Sequence, residues 1–283
     1  MNKLVNWSNK NQKINYNLEI DFLRQCEKNG HTNILGKSRY LEILKNLNCI
    51  LSNPKEILDV GGSNASARWL SAKFPGSKVT ILNISKNEIG NWKNYLICDG
   101  TNFDKKNRFD LIFLGEVIEH TYNPDGMIAS SILSLKKNGY IIISTPNLAC
   151  LYNRIFMLFG WSPVGYYPSL RYMTGNPIFK NKVGKIGLIM DHKSVFTWKG
   201  LIELLKLYHL DILKSQGYDV LRDEKEFKVP EGKYQTLGSS IRPFLNKLTP
   251  KSQRVGMLFF CQLKSNINKK DLKKSIIKQN IWQ

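Results

Sequence analysis

No stretch of the 283-residue chain approaches the roughly eighteen consecutive apolar residues of a membrane-spanning helix, so a transmembrane segment is not expected. After Met1 the chain is polar and rich in Asn and Lys, unlike a secretory signal peptide. Cysteine is sparse: Cys26, Cys49, Cys98, Cys150 and Cys261 are scattered, odd in number and never spaced C-x-x-C. That excludes a disulfide framework and a zinc ribbon, and suits a reducing, cytoplasmic setting. Arginine is scarce too, with nine Arg against thirty-three Lys. Arg is the residue preferred for bidentate phosphate and base-edge contacts, so this balance argues against sequence-reading nucleic-acid recognition. There is no internal repeat, and from Gly126 to Met190 there is no Asp or Glu at all.

What is present is ample material for a core. Hydrophobic residues make up 42% and aromatic residues 11%, which excludes a wholly disordered chain. The length fits one large α/β domain with attachments, or two small domains. The net charge of +20 is unevenly spread: net +4 over residues 1–54, +2 over 55–150 and +14 over 151–283. Twenty-eight Asn accompany the Lys, so compositional drift accounts for the excess as well as an anionic partner does.

Apolar periodicity divides the chain into five parts. Residues 1–54 read as an N-terminal helical segment, with Ile20, Phe22, Leu23, Tyr40, Leu41, Ile43, Leu44 and Leu47 at three-to-four spacing. Residues 55–147 alternate short apolar strands with helices. The strands are Glu56–Val60, Val79–Asn83, Tyr95–Asp99, Phe109–Leu114 and Tyr140–Ser144, with helices near Ala65–Lys73 and Gly126–Leu135 and a turn at Lys136–Gly139. Such alternation predicts a doubly wound, Rossmann-like, mostly parallel sheet covered on both faces. Residues 148–195 break the pattern as an aromatic and basic lid. Residues 196–265 return to it, with a helix from Thr197 and closing strands at Asp211–Lys214 and Arg254–Leu263, and 266–283 form a basic tail.

The strand ending Asp59-Val60 and turning through Gly61 and Gly62 into a helix is a nucleotide-binding arrangement, because glycine lets backbone approach a ligand. Ser63 and Ala65 stand where a dinucleotide fingerprint needs glycines, so NAD binding is not expected. With Asp59 before the glycines, the segment instead resembles the first motif of class I S-adenosylmethionine-dependent methyltransferases. Phe109-Asp110-Leu111-Ile112, Gly115-Glu116-Val117-Ile118-Glu119-His120, Leu135–Gly139 and Ile142–Asn147 follow in the order of that family. The likeness is to the branch containing quinol O-methyltransferases and many enzymes of glycan biosynthesis. It implies that the Asp59, Gly61, Gly62 and Ser63 turn holds the methionine part of S-adenosylmethionine. It also implies that Asn83, in a position usually carboxylate, meets the ribose, that Asp99 beside Gly100 approaches the adenine amino group, and that Glu116 lines the cofactor pocket.

The same resemblance bears on the reaction. Glu116, Glu119 and His120 together with the distal His192 resemble the four residues that bind a divalent metal in small-RNA 2′-O-methyltransferases, and some quinol O-methyltransferases are similarly metal-assisted. Two carboxylates and two imidazoles suit Mg²⁺, Mn²⁺ or Fe²⁺ better than structural zinc. The alternative gives Glu116 to the cofactor pocket and leaves His120 either as a metal-free general base, with Glu119 and His192 in the catalytic set, or in a purely structural role as a hydrogen-bonding residue at a helix start. His31 and His209 have no such context.

The acid-free lid carries Tyr152, Arg154, Phe156, Phe159, Trp161, Tyr166, Tyr167, Arg171, Tyr172 and Phe179, with Lys180, Lys182 and Lys185 close behind. It follows the fifth strand and so is expected over the carboxyl ends of the strands, where an acceptor enters. Its sequence resembles the lids of prokaryotic methyltransferases associated with polysaccharide or glycolipid synthesis. That implies O-methylation of a sugar, a lipid-linked glycan or a similar anionic small molecule, with RNA as the competing acceptor and a non-catalytic cofactor-binding scaffold as the third possibility. The run Ile155–Phe159 is expected either in a buried lid core or at a membrane surface, which would bring a cytoplasmic protein to the inner face of the membrane.

Overall fold

The computed structural model describes residues 42–43, 46–47, 53–103, 105–166, 169, 174–176, 192–219, 249–264 and 272. The expected N-terminal helical segment and basic tail fall largely outside these residues. Within that segment Glu42, Ile43, Asn46 and Leu47 are helical. Cys26, His31, Cys49, Tyr167, Arg171, Tyr172, Phe179, Lys180, Lys182 and Lys185 also lie outside the described residues.

The elements run β1 (Glu56–Val60), α1 (Asn64–Lys73), β2 (Lys78–Asn83), α2 (Lys86–Ile89), β3 (Tyr95–Ile97), β4 (Phe109–Gly115), a 3₁₀ turn (Ile118–His120), α3 (Pro124–Ser134), β5 (Leu135–Pro146), α4 (Leu151–Leu158), α5 (Trp198–Leu207), β6 (Leu210–Tyr218) and β7 (Gly256–Leu263). They form one seven-stranded sheet in the order β3-β2-β1-β4-β5-β7-β6. All neighbouring pairs from β3 to β5 are parallel, while β7 is antiparallel to both β5 and β6. The mostly parallel, doubly wound sheet read from the sequence is therefore the fold. Among the described residues no helix is long and apolar enough to cross a membrane.

The central strands are apolar on both faces because helices cover both. Ile57, Ile81, Leu111, Phe113, Ile142, Leu258 and Phe260 pack with Trp69 and Leu70 of α1 on one side. Leu58, Val60, Ile112, Leu114, Ile141, Ile143, Met257 and Phe259 pack with Ile128 and Ile132 of α3 and Leu201 and Leu205 of α5 on the other. Single positions along a strand alternate between the two clusters, as a period of two requires.

Local chemistry sets the helix starts. Ser63 caps α1 in a capping box with Ser66, and Asn123 caps α3 by accepting from Gly126 N, with Pro124 in the first turn. One sequence expectation needs correction. Lys136–Gly139 is not a turn before a strand but part of β5, which begins at Leu135. The irregularity is absorbed inside the strand: Asn138 takes φ 59°, and the register with β4 shifts between Phe109 and Leu111.

Candidate active site

Three loops at the carboxyl ends of β1, β2 and β4 close on one another. Gly61 has φ 67°, and a Cβ there would lie 2.3 Å from Val117 Cγ2, so only glycine lets the β1 loop meet the loop after β4. A Cβ on Gly62 would lie 2.2 Å from Asp59 Oδ2. The Asp59 carboxylate is 1% exposed and accepts the Ser66 hydroxyl at 2.6 Å, so it braces the start of α1 from beneath the glycine turn. Ser63, which departs from the glycine usual in the resembled motif, serves here as the helix cap.

Asn83 closes the second side. Its Nδ2 donates to Gly62 O at 2.8 Å, and its Oδ1 accepts Ser85 N at 2.9 Å. A carboxylate could accept the second bond but not donate the first, which is a structural reason for the amide. Asp99 lies exposed beyond β3, with Oδ1 accepting Thr101 N at 2.8 Å. Gly100 is buried, and a Cβ on it would lie 3.0 Å from Val60 Cγ1 and 3.3 Å from Met127 Cε. Its role in the structure is thus to let α3 approach the end of β1.

The loop after β4 carries Glu116, Glu119 and His120. Glu116 takes φ 54°, its backbone N donates to Ser144 O, and its Oε1 accepts the Tyr218 hydroxyl at 2.5 Å. Tyr218 reaches it from the end of β6, lying so close over Gly256 of β7 that a Cβ there would be 2.2 Å from Tyr218 Cζ. Glu119 sits in the 3₁₀ turn with its side chain 2% exposed, and Oε2 accepts the Thr145 hydroxyl at 3.0 Å. Its carbonyl accepts Lys193 N at 2.7 Å and Ser194 N at 3.0 Å, which fastens the segment bearing His192 to this turn.

The His120 and His192 rings consequently meet edge to face, with centroids 5.0 Å apart. His120 Nε2 lies 4.0 Å from Glu119 Oε1 and the His120 side chain is 44% exposed. His192 Nδ1 lies 2.6 Å from Gly165 O. A carbonyl only accepts, so Nδ1 carries the hydrogen and the lone pair of the neutral ring is on Nε2. Donor atoms from Glu119, His120 and His192 lie within 4.8 Å of one another.

The structure thus brings together three of the four residues expected as a ligand set. Glu116 is not among them, because its carboxyl is turned to Tyr218. One carboxylate and two imidazoles, one of them fixed by a backbone carbonyl, form a donor set that fits a divalent transition metal. The Gly61–Gly62 turn, closed to any side chain, fits a ligand that approaches backbone. Tyr218, Thr145 and Gly256 were not singled out by sequence reasoning. Burial pushes the thiols of Cys98, Cys150 and Cys261 up, so none of the described cysteines is a ready nucleophile.

Residues 35–214 match the family model described as a methyltransferase domain. The fold is similar to that of a SAM-dependent methyltransferase from Archaeoglobus fulgidus, at 14% identity over 86% of this chain and 100% of that one, with a TM-score of 0.50. It is equally similar to a possible histamine N-methyltransferase from Thermotoga maritima, at 13% identity over 88% and 99% of the two chains and a TM-score of 0.50. A third likeness is to an S-adenosylmethionine-dependent methyltransferase structure from Listeria monocytogenes, at 13% identity over 77% and 95%, again with a TM-score of 0.50. No curated protein matches the chain significantly.

Proposed function

The chain belongs to the methyltransferase-domain family as an S-adenosylmethionine-dependent methyltransferase, and from that premise we propose that it O-methylates a hydroxyl of a sugar, a lipid-linked glycan or a similar small molecule. The observation that carries the choice of a hydroxyl is the Glu119, His120 and His192 cluster beside the cofactor loops. A hydroxyl must lose its proton as it attacks, so the acceptor needs a base within reach. When bound, S-adenosylmethionine supplies an electrophilic methyl group on a sulfonium. The Asp59–Ser63 turn holds its methionine part, with Asn83 and Asp99 toward the ribose and adenine.

His120 is the half-exposed member of the cluster and takes the acceptor proton as the oxygen–methyl bond forms. Glu119 and His192 are held from behind by Thr145 and Gly165, and fix the position from which His120 acts. Positioning does most of the remaining work, because the displacement is in line and needs no covalent enzyme intermediate.

A second reading is favoured by the closeness of the three donor atoms: a divalent cation held by Glu119, His120 and His192. Bound there, such an ion would lower the pKa of the acceptor hydroxyl. His120→Ala is expected to lower turnover by about 10²- to 10⁴-fold with S-adenosylmethionine affinity kept. If EDTA leaves the wild-type rate untouched, the metal reading goes and the free base stays. Calorimetry on the folded wild type must show S-adenosylmethionine binding, or the methyltransferase assignment itself fails. RNA as acceptor would reveal itself by affinity falling steeply with salt.

A further inference from the structure

Helix α4 and the residues after it present large apolar side chains to solvent. Leu158 is 80% exposed and Phe159 62%, and exposure falls on either side, to 44% at Ile155 and 40% at Trp161. Val164 and Tyr166 continue the exposed series. Among the described residues Ile155–Phe159 do not form the buried lid core that is one of the two sequence expectations, because Asn153 is the only buried residue of the helix.

This surface is built, not frayed. Gly160 takes φ 72° after the last helical turn, Gly160 N donates to Met157 O at 3.0 Å, and Trp161 N donates to Phe156 O at 2.9 Å. That is the Schellman pattern of helix termination, completed by the usual apolar contact: the Trp161 and Phe156 rings are 6.0 Å apart. Phe159 adds a second ring 5.5 Å from Trp161. The buried Asn153 amide donates to Val164 O at 3.2 Å and accepts Val164 N at 2.8 Å, which pins the returning loop to the helix. The exposed side chains are thus held out by a capped, pinned hairpin.

We propose that this α4 tip docks on an anionic bilayer, with Leu158 and Phe159 entering the interface and Trp161 and Tyr166 at its margin. The gradient of exposure places purely aliphatic and phenyl groups outermost and the amphipathic rings behind them, the order that an interface with an apolar interior and a wet boundary selects. Charge chooses the kind of bilayer. The tip itself, residues 151–166, carries Arg154 exposed on α4 and no acidic side chain, and residues 151–283 hold +14 of the chain's net charge. Lysine-dominated excess suits diffuse attraction to lipid headgroups. The loop that carries the tip also presents Gly165 O to His192, so a docked tip sets the proposed acceptor site beside the membrane. That last link rests on the proposed function, whereas the docking does not.

Flotation with phosphatidylcholine vesicles, with and without phosphatidylglycerol, tests it on the full chain. The wild type is expected to float with the anionic vesicles and to stay behind with the neutral ones. Leu158→Glu with Phe159→Glu should lower the floated fraction at least about tenfold while leaving S-adenosylhomocysteine binding unchanged. Leu207→Glu, at an exposed apolar residue on α5, should float as the wild type does. If the double variant fails to bind S-adenosylhomocysteine, the milder Leu158→Asn with Phe159→Asn takes its place. The proposal is overturned if the wild type ignores anionic vesicles, if the tip variant floats equally well, or if the tip variant only breaks a dimer. None of these readouts requires methyl transfer, so they succeed or fail apart from the proposed reaction.

Discussion

Asn83 carries two bonds that a carboxylate cannot both make, and Tyr218 reaches from β6 to the loop after β4. Asn83→Asp removes the donor to Gly62 O and sets two acceptors against each other. It is expected to cost about 1–3 kcal/mol, read as a lower denaturation midpoint at unchanged m-value. Tyr218→Phe deletes the hydroxyl that holds Glu116, whose backbone stands at φ 54°. The fold should persist, since the ring stays buried, while S-adenosylmethionine affinity falls several-fold by calorimetry. Unchanged affinity would mean that the bond only staples β6 to the sheet. These two residues also mark how far sequence reasoning reaches. Glu119, His120 and the glycine turn lie next to a strand end and can be read from local order. Tyr218 lies 102 residues from Glu116, and only the crossing over Gly256 brings them together. Asn83 stands out in the sequence only as a departure from a ribose-binding carboxylate; its bond to the glycine loop, 21 residues away in the chain, is made by the pairing of β1 with β2.

At the scale of elements, the strands and their order of appearance were legible because a doubly covered sheet demands continuous apolar runs. The start of β5 was not, because Asn138 and Gly139 look like a turn and in fact form a bulge within a strand. Asp110 shows what holds the far end of the sheet. It accepts Lys55 N at 2.9 Å, Glu56 N at 2.8 Å and Lys136 Nζ at 2.9 Å, tying the beginnings of β1, β4 and β5. Partial burial works to raise its pKa, but the Lys136 ammonium and the two backbone donors outweigh burial and hold it below the ordinary aspartate value. A depressed folded-state pKa stabilises above the unfolded value, and that contribution is lost as pH falls through the folded one. Asp110→Asn should therefore be less stable than wild type near neutrality, with the gap narrowing in acid. Denaturation curves at neutral pH and below the aspartate range check this.

For the whole molecule, the loops proposed to hold the cofactor join the ends of β1, β2 and β4, so a ligand bound there should stabilise the whole sheet. At a hundredfold excess over its dissociation constant, S-adenosylmethionine should add about 2.7 kcal/mol, raising the melting temperature by roughly 5–10 °C. A smaller rise at saturation would indicate a domain that unfolds independently of the cofactor loops. The net charge of +20 read as a property of the whole chain suggests nucleic acid. Divided along the chain it leaves residues 55–150, which hold the glycine turn and the loop after β4, nearly neutral and concentrates the excess beyond them.

The antiparallel β7 has a consequence for how the protein is made. Met257 to Cys261 are fully buried, and β7 lies between β5 and β6 although it follows both in the chain. During synthesis, β5 and β6 must wait with open edges until residues 256–263 leave the ribosome, a span in which a nascent sheet is exposed to wrong partners. A chain stopped before Gly256 should accumulate as aggregate or be held by chaperones, even though it carries every glycine-loop and cluster residue discussed above. Among the described residues β7 comes last in the chain yet is the keystone of the sheet, so the methyltransferase fold closes only once residues 256–263 have been made.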